Sequence, residues 1–504
     1  MSNEAFFSEV ANEIGAQAVD RSDDTCLRYG ETTLPAGDRH LPGVLFPAST
    51  TDVQAIVRAA NRNKVPLWPI STGQNIGLGS RAPVAPGQVV VDLGRRMNRI
   101  IEVNDELGYA VVEPGVSFQA LQDELVRRGD RLMVSATSGP PLGGVLGNAL
   151  DKGGGYGPYF DHFGMLCGME IVLGSGDTIR TGDGSLASDE LLNWHVSKYS
   201  FGPVLDGLFA QSNYGIVTRA GVWLMPRPPA AQSFHFVFPD DDDFGAIIDL
   251  CRPLKMSNFV PTLFRVCNDN YVIGSEETNP EYASGGGKRA VSPEARRALQ
   301  KKYGLGAWIV SGAFYGPSAQ AIAPQIERVK AHFGASGKAR YIAHDEAEKI
   351  VPLKTAIDAM TGRPTSGELG LLKWRPGGGN SWFLPGTPML GAKAAELDRL
   401  ARAIYAEHGM DFMVMHVASA RFARGLHVMV WNRADADENA RADACYKKLV
   451  LEFARRGISV GRAPTDYQEL HAGMLMPEFR QACAAIKKAL DPNGIIAPGK
   501  YGIS

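Results

Sequence analysis

The stretch Pro69-Ile70-Ser71-Thr72-Gly73-Gln74-Asn75-Ile76-Gly77-Leu78-Gly79-Ser80 decides how the rest of the chain is read. It follows the apolar run Val65-Pro66-Leu67-Trp68 and precedes Val89-Val90-Val91. A strand, a glycine-rich loop and a strand is the simplest assignment. Small residues there let successive backbone N–H groups turn towards one point, an anion nest whose natural guest is a pyrophosphate. A tight turn between strands has the same composition. The loop lacks the dinucleotide fingerprint, in which three glycines at fixed spacing open a helix after the first strand. Here the helix comes first, capped by Ser49-Thr50-Thr51-Asp52, with Val53, Ile56, Val57 and Ala60 on one face. It is no P-loop either, since no lysine followed by Ser or Thr closes it. A bound dinucleotide must be held another way.

A chain of 504 residues is long for one core and predicts two or three lobes. Lys and Arg number 52 against 54 Asp and Glu, a balance that favours neither nucleic acid nor a membrane surface. The run Asp240 to Asp243 reads as a solvated loop tip. Six scattered cysteines without a CxxC pair read as buried thiols in a reducing compartment. No secretory signal or membrane span is visible, so a cytoplasmic location is expected.

Along the chain, Gln88 to Leu93, Arg99 to Val103 and Tyr109 to Glu113 read as strands and Ser117 to Arg128 as a helix. The densest glycine region follows, Ser138-Gly139-Pro140-Pro141-Leu142-Gly143-Gly144-Val145-Leu146-Gly147-Asn148, then Gly153-Gly154-Gly155-Tyr156-Gly157. Two glycine-rich loops can close on one ligand and let backbone approach a flat ring system. Arg227-Pro228-Pro229 marks the best boundary. Beyond it, strands (Ser233 to Phe238, Trp308 to Phe314, Asp411 to Val417, Leu426 to Trp431) alternate with helices in an α+β lobe, a sheet with helices on one side. Residues 270–300, with Gly285 to Gly287, read as a mobile excursion.

Ordered blocks through the chain carry a family resemblance. They include Pro69 to Asn75, Val112-Glu113-Pro114-Gly115-Val116, Gly147-Asn148, Tyr156-Gly157-Pro158-Tyr159, Asn213 to Thr218, Lys373 to Gly379 and Asp491 to Lys500. From about residue 40 to the C-terminus the chain resembles the vanillyl-alcohol oxidase and 4-cresol dehydrogenase flavoproteins, the dehydrogenase branch more closely. The resemblance implies an α+β fold: a two-lobed FAD-binding domain in two pieces (1–227 and 461–504) and a cap domain over the flavin (228–460). It implies FAD held by Pro69, Ile70, Ser71, Thr72, Gly73, Gln74 and Asn75 at the pyrophosphate. Leu142, Gly143, Gly144, Gly147, Asn148, Gly154, Gly155 and Tyr156 would lie along the flavin, Gly215, Ile216 and Val217 near the adenine, and Arg462 and Lys500 near the ring. Substrates of this family give a hydride from a 4-hydroxybenzylic carbon to the flavin, the phenolate supplying electron density.

The pattern departs from the family at three places. The resemblance implies two tyrosines and an arginine around the phenolate; the arginine falls at Arg462, but the tyrosine positions hold Leu78 and Gly461. Each hydroxyl left unreplaced weakens phenolate stabilisation by roughly 1–3 kcal/mol, and Leu78 and Gly461 leave room for a bulkier aromatic. Arg462 also has the alternative role of a structural link to the flavin or to a carboxylate. The positions that carry a covalent flavin link in the two branches hold Leu372 and Asn380, so non-covalent FAD is predicted. The expected pocket carboxylates fall at Met415 and Val428, beside His416 and His427. A symmetric hairpin pairs 415 with 428 and 416 with 427. Either a register shift turns His416 and His427 into the pocket as bases, or they form a polar pair behind the sheet. No third ligand accompanies them, so no metal is predicted. Glu368 reads as a pocket carboxylate, with a surface carboxylate as the alternative.

The expectation is a flavin-dependent oxidoreductase acting on the benzylic or allylic carbon of a para-oxygenated aromatic, a 4-alkylphenol or 4-hydroxybenzyl alcohol in type, with bulky lignin-derived rings among the candidates. Catalytic candidates are Arg462, Tyr156, Glu368, His416 and His427. Electrons would pass to a c-type cytochrome or another acceptor, the chain would form a homodimer or larger, and the resemblance admits a periplasmic setting as the alternative to a cytoplasmic one. The alternatives are an oxidase using O2 and a non-catalytic flavin-binding subunit.

Overall fold

The computed structural model describes residues 3–283 and 290–504. The helix Thr50–Asn63 begins where the Ser49 hydroxyl accepts from the Asp52 N–H, and it buries Val53, Ile56, Val57 and Ala60. These pack on a four-stranded sheet ordered Val19–Asp20, Val44–Leu45, Val89–Asp92, Leu67–Ile70. The last three strands are parallel, and Val89, Val90 and Val91 are all buried, as an apolar run covered on both faces requires. The stretch from Ser71 to Ser80 leaves the end of this sheet as a loop.

A second, antiparallel sheet follows in the order Ile100–Asn104, Tyr109–Val112, Gly215–Trp223, Leu166–Leu173, Thr178–Arg180. The helix Phe118–Arg127 lays Phe118, Leu121 and Leu125 on it. The third sheet is larger and antiparallel, ordered Arg340–Ile342, Ala230–Phe238, Trp308–Gly316, Phe264–Asn268, Met413–Ala418, Phe422–Asn432, Gly378–Phe383, with Gly386–Pro388 also pairing to Phe422–Asn432. On one face it packs on the helices Phe244–Met256, Ala319–Gly334, Gly391–Glu407 and Ala436–Ala454. Its other face, including Cys267, Met415 and Val428, meets Tyr156 of the first lobe.

Several expectations are corrected here. The strands Phe264–Asn268 and Gly378–Phe383 carry too weak an alternation to be read from sequence. Within 270–300 the chain forms helices at Asp269–Gly274, Pro280–Ala283 and Pro293–Tyr303 rather than an excursion; Gly285 to Gly287 lie outside the described residues. The acidic run is a solvated tip only in part: Asp240 and Asp242 are exposed, but Asp243 is buried and paired with Lys338, and Asp241 is paired with Arg296. The hairpin pairs Met413 with Val428 and Met415 with Leu426, two residues from the symmetric register. Its turn is Ser419 to Phe422, closed by the Ser419 N–H on the Phe422 carbonyl at 2.9 Å, and turn position sets register. A two-residue step keeps the faces, so Met415 and Val428 stay on one side and His416 and His427 on the other. Among the described residues no helix is long and apolar enough to cross a membrane.

The chain's last segment returns to the first lobe. Leu67 donates to the Ile495 carbonyl at 2.8 Å and Ala497 to the Leu67 carbonyl at 2.7 Å. Buried Lys487 donates to the carbonyls of Asn213 (2.6 Å) and Ile496 (2.7 Å) and pairs with Asp491 at 2.7 Å. Lys487→Ala leaves the Asp491 charge and two carbonyls without their cation. It is expected to destabilise the protein by about 3–5 kcal/mol, read as the shift in a denaturant unfolding midpoint; an unchanged midpoint would refute this account of the tail.

Candidate functional site

Two joined chambers lie where the lobes and the large sheet meet. The first, about 240 Å³, is walled by the Pro69–Asn75 stretch, Gly143, Gly144, Gly147, Asn148, Gly215, Ile216, Val217 and Lys500. The second, about 490 Å³, is walled by Gly154, Gly155, Tyr156, Glu368, Leu372, Asn380, Val428 and Gly461. Gln74, Asn75, Leu78, Asn148 and Arg462 belong to both and form the joint.

The first chamber has the donor set of an anion nest. The backbone N–H groups of Gly73, Gln74 and Asn75 have no protein acceptor among the described residues, although backbone donors away from water are rarely left unpaired. Gly73 has a φ of 66°, which turns the loop back on itself. The second glycine loop approaches the first closely: a Cβ on Gly144 would stand 2.2 Å from the Ser71 hydroxyl oxygen, and one on Gly147 2.7 Å from the Ser71 Cβ. The glycines therefore serve first to bring two loops together, and the gap between those loops is the chamber. Free backbone donors in such a cleft fit a pyrophosphate-bearing cofactor such as FAD. Leu142 lines neither chamber and is 62% exposed.

At the joint, Arg462 pairs with Asp151, its Nε at 2.7 Å and its Nη2 at 2.5 Å from Oδ2. The Tyr501 hydroxyl donates to the other Asp151 oxygen. Gln211 donates to the carbonyls of Gly461 (2.7 Å) and Asp151 (3.1 Å). Burial lowers the Lys500 pKa, and Asp151 opposes the shift. Asn148 is held by His162, Nδ1 to Oδ1 at 2.7 Å, and burial takes His162 down to about 4, so this imidazole is neutral.

In the second chamber Tyr156 accepts from the Ser138 hydroxyl at 2.9 Å and faces the Met415 sulfur at 3.9 Å. Arg265 lies 4.7 Å from the Tyr156 ring centroid and pairs with buried Glu368 at 2.9 Å. Glu368 is thus a buried partner of a buried cation, not a surface carboxylate. Burial, and then the Glu368 charge, push the Tyr156 pKa well above that of an ordinary phenol, so its hydroxyl stays protonated and is no base. Met415 stands behind Tyr156 and is not on the chamber wall.

His416 and His427 face away from the chamber, which corrects their placement as pocket bases. Their ring centroids are 5.8 Å apart, among Phe244, Phe383 and Phe412. Burial takes His416 down to about 3 and His427 well below its usual value. No group of three metal-ligating side chains occurs among the described residues. Strand alternation sends Arg424, Leu426 and Val428 into the chamber instead. Arg424, Arg265 and Asp151 went unnoticed in the sequence. Arg424 alone had a usable signal, the same strand parity as Val428. The expected room at Gly461 is also corrected, because the Arg424 guanidinium occupies it: a Cβ on Gly461 would stand 2.4 Å from the Arg424 Cζ.

Comparison with known proteins agrees with this architecture. Residues 42–182 match an FAD binding domain and residues 232–501 the C-terminal domain of FAD linked oxidases. The chain is 37% identical to the flavoprotein subunit of 4-cresol dehydrogenase [hydroxylating] from Pseudomonas putida, over 95% of this chain and 92% of that protein. A crystal structure of p-cresol methylhydroxylase with substrate bound superposes with a TM-score of 0.96 at 34% identity, covering 100% of this chain and 97% of the other. 4-Ethylphenol oxidase from Gulosibacter chungangensis, in complex with isoeugenol, gives a TM-score of 0.94 at 32% identity, covering 100% and 98%.

The histidine pair yields a prediction with a definite sign. An unfolded histidine titrates near 6.5, whereas folded His416 does so at about 3. Between these values the unfolded chain binds a proton that the folded one refuses. The stability present above pH 6.5 is therefore lost as pH falls, by up to about 1.4 kcal/mol per pH unit for each histidine. Replacing both by Phe should flatten the fall in melting temperature from pH 6 to pH 4; an unchanged slope would refute the assignment.

Proposed function

The chain belongs to the vanillyl-alcohol oxidase and 4-cresol dehydrogenase family of FAD flavoproteins and is a flavin-dependent oxidoreductase; from that premise we propose that it takes a hydride from the benzylic or allylic carbon of a para-oxygenated aromatic. The substrate would be a 4-alkylphenol or a 4-hydroxybenzyl alcohol in type, including lignin-derived rings. The observation that carries this reading is the pair of chambers meeting at Leu78 and Arg462, one with free backbone donors and the other with largely apolar walls.

Bound FAD supplies the hydride acceptor. Gly73, Gln74 and Asn75 would hold its pyrophosphate through their backbone N–H groups. Arg462 brings positive charge to the joint and favours the ionised phenol oxygen. Two of its nitrogens are tied to Asp151, which fixes its orientation and leaves Nη1 for the substrate. Tyr156, kept protonated, shapes the wall and fixes the pose of the ring, and Glu368 holds Arg265 against it. Leu372 and Asn380 line the second chamber, and neither side chain forms the aryl ether or imidazole link of a covalent flavin. FAD is non-covalent in this reading.

The chain divides at 227 and 460 into FAD domain, cap and returning FAD segment. The electron acceptor is a c-type cytochrome or another acceptor, the assembly a homodimer or larger, and the setting cytoplasmic, in keeping with six free thiols. An oxidase using O2 is a second reading, favoured by the likeness to 4-ethylphenol oxidase.

Anaerobic mixing with a 4-hydroxybenzylic compound should bleach the flavin band, while the 4-methoxy analogue should not. Bleaching by neither would sink the proposal in favour of a binding subunit. Re-oxidation by cytochrome c but not by O2 separates the dehydrogenase from the oxidase. Acid precipitation should leave all FAD in the supernatant; yellow precipitate would refute the non-covalent assignment.

A further inference from the structure

We infer that Arg424 is the anion-binding residue of the second chamber and that the aromatic ligand it receives carries a carboxylate. This deepens the proposed function and rests on its reading of the second chamber as the substrate site.

The strand Phe422–Asn432 points alternate side chains to opposite faces. Arg424, Leu426 and Val428 share the face that walls the chamber. The guanidinium lies in space that any side chain at position 461 would occupy: a Cβ on Gly461 would come within 2.4 Å of Cζ, 2.5 Å of Nη1 and 2.8 Å of Nε. Glycine at 461 and arginine at 424 are therefore one arrangement.

The cations on the chamber wall and, in the case of Arg265, behind it differ in how their charge is met. Arg462 pairs with Asp151 and Arg265 with Glu368. Arg424 has no carboxylate partner among the described residues; its Nη1 donates to the Leu384 carbonyl at 3.2 Å, and its Cζ lies 5.3 Å from the Phe422 ring centroid. Of the chamber's other acids, Asp161 accepts from the Gly164 N–H at 3.0 Å and makes no ion pair among the described residues. Lys152, also on the wall, makes no ion pair among the described residues. The Nε–Nη2 edge of Arg424 has no acceptor among the described residues, and neither atom is sealed from open space. Burial and repulsion from Arg462 both work against the Arg424 charge, as at a site that receives an anion. The free edge offers two parallel donors, which match the two oxygens of a carboxylate, whereas a phenolate presents one.

The test is calorimetric titration of the FAD-loaded enzyme at neutral pH with benzoate, with its neutral isostere benzamide, and with phenol. Benzoate should bind more tightly than benzamide. Arg424→Gln should weaken benzoate by roughly tenfold or more and leave benzamide and FAD content unchanged. Arg424→Lys, which keeps the charge without the fork, should fall between. Gly461→Ala, which contests the guanidinium's place, should weaken benzoate even if the Arg424 variants fold poorly. Benzoate binding no tighter than benzamide, or equal in parent and variants, would overturn the inference. So would a loss confined to phenol, which would make Arg424 a phenolate ligand. Flavin reduction by a 4-alkylphenol, measured on the same preparations, keeps the two proposals apart: an enzyme reduced by the phenol yet indifferent to benzoate retains its proposed reaction and loses its carboxylate site.

Discussion

The ion pair between Asp151 and Arg462 is the constraint on which the arrangement of the site depends. Asp151 ends the short helix of the second glycine loop, and Arg462 opens the segment that returns to the first lobe. The pair is mostly shielded, with side chains about one-fifth exposed. In that setting removal of either partner strands the other, a cost well above that of an open surface pair. Tyr501 and Gln211 secure the same carboxylate and the adjacent backbone. The joint between the chambers is thus fixed by the closing of the chain on itself. One consequence is chemical: the Arg462 guanidinium, expected at the phenolate, has two of its nitrogens committed to a carboxylate, whereas Arg424 has no carboxylate partner among the described residues.

Strand parity decides the second half of the site. Neighbouring residues of one strand differ completely in environment because the alternation of a pleated strand admits no intermediate. His427 falls among aromatic rings and loses its proton, while Arg424 and Val428 reach the chamber. The large sheet therefore works as a partition, with a helix-covered hydrophobic core behind it and ligand space in front. Tyr156 and the Arg265–Glu368 pair seal the line where that front face meets the first lobe.

Much of the first lobe was legible because its signals are local. The Ser49 cap and the spacing of Val53, Ile56, Val57 and Ala60 specify a helix and its buried face without reference to anything distant. The Val89 run reads as a doubly covered strand for the same reason. The glycine loops were legible as loops, but not the approach of Gly144 to Ser71, which joins segments far apart in the chain. Phe264–Asn268 was missed because a central strand carrying Arg265 and Asn268 looks polar until their buried partners are known. The hairpin register was misjudged by two residues because the turn sits at Ser419–Phe422, and little in the composition there marks it.

The sequence by itself determined the α+β class, the two glycine-rich loops, the flavoprotein family, and the substitutions at Leu78, Gly461, Leu372 and Asn380 that set this chain apart. These rest on local chemistry and residue identity. Only the tertiary structure decided that Arg462 is committed to Asp151, that the two histidines lie behind the sheet, and that Arg424 fills the place left by Gly461. Each of those depends on which side of a strand meets which other segment, and on the loss of water that makes an unpaired charge costly. Both are properties of packing between residues remote in sequence.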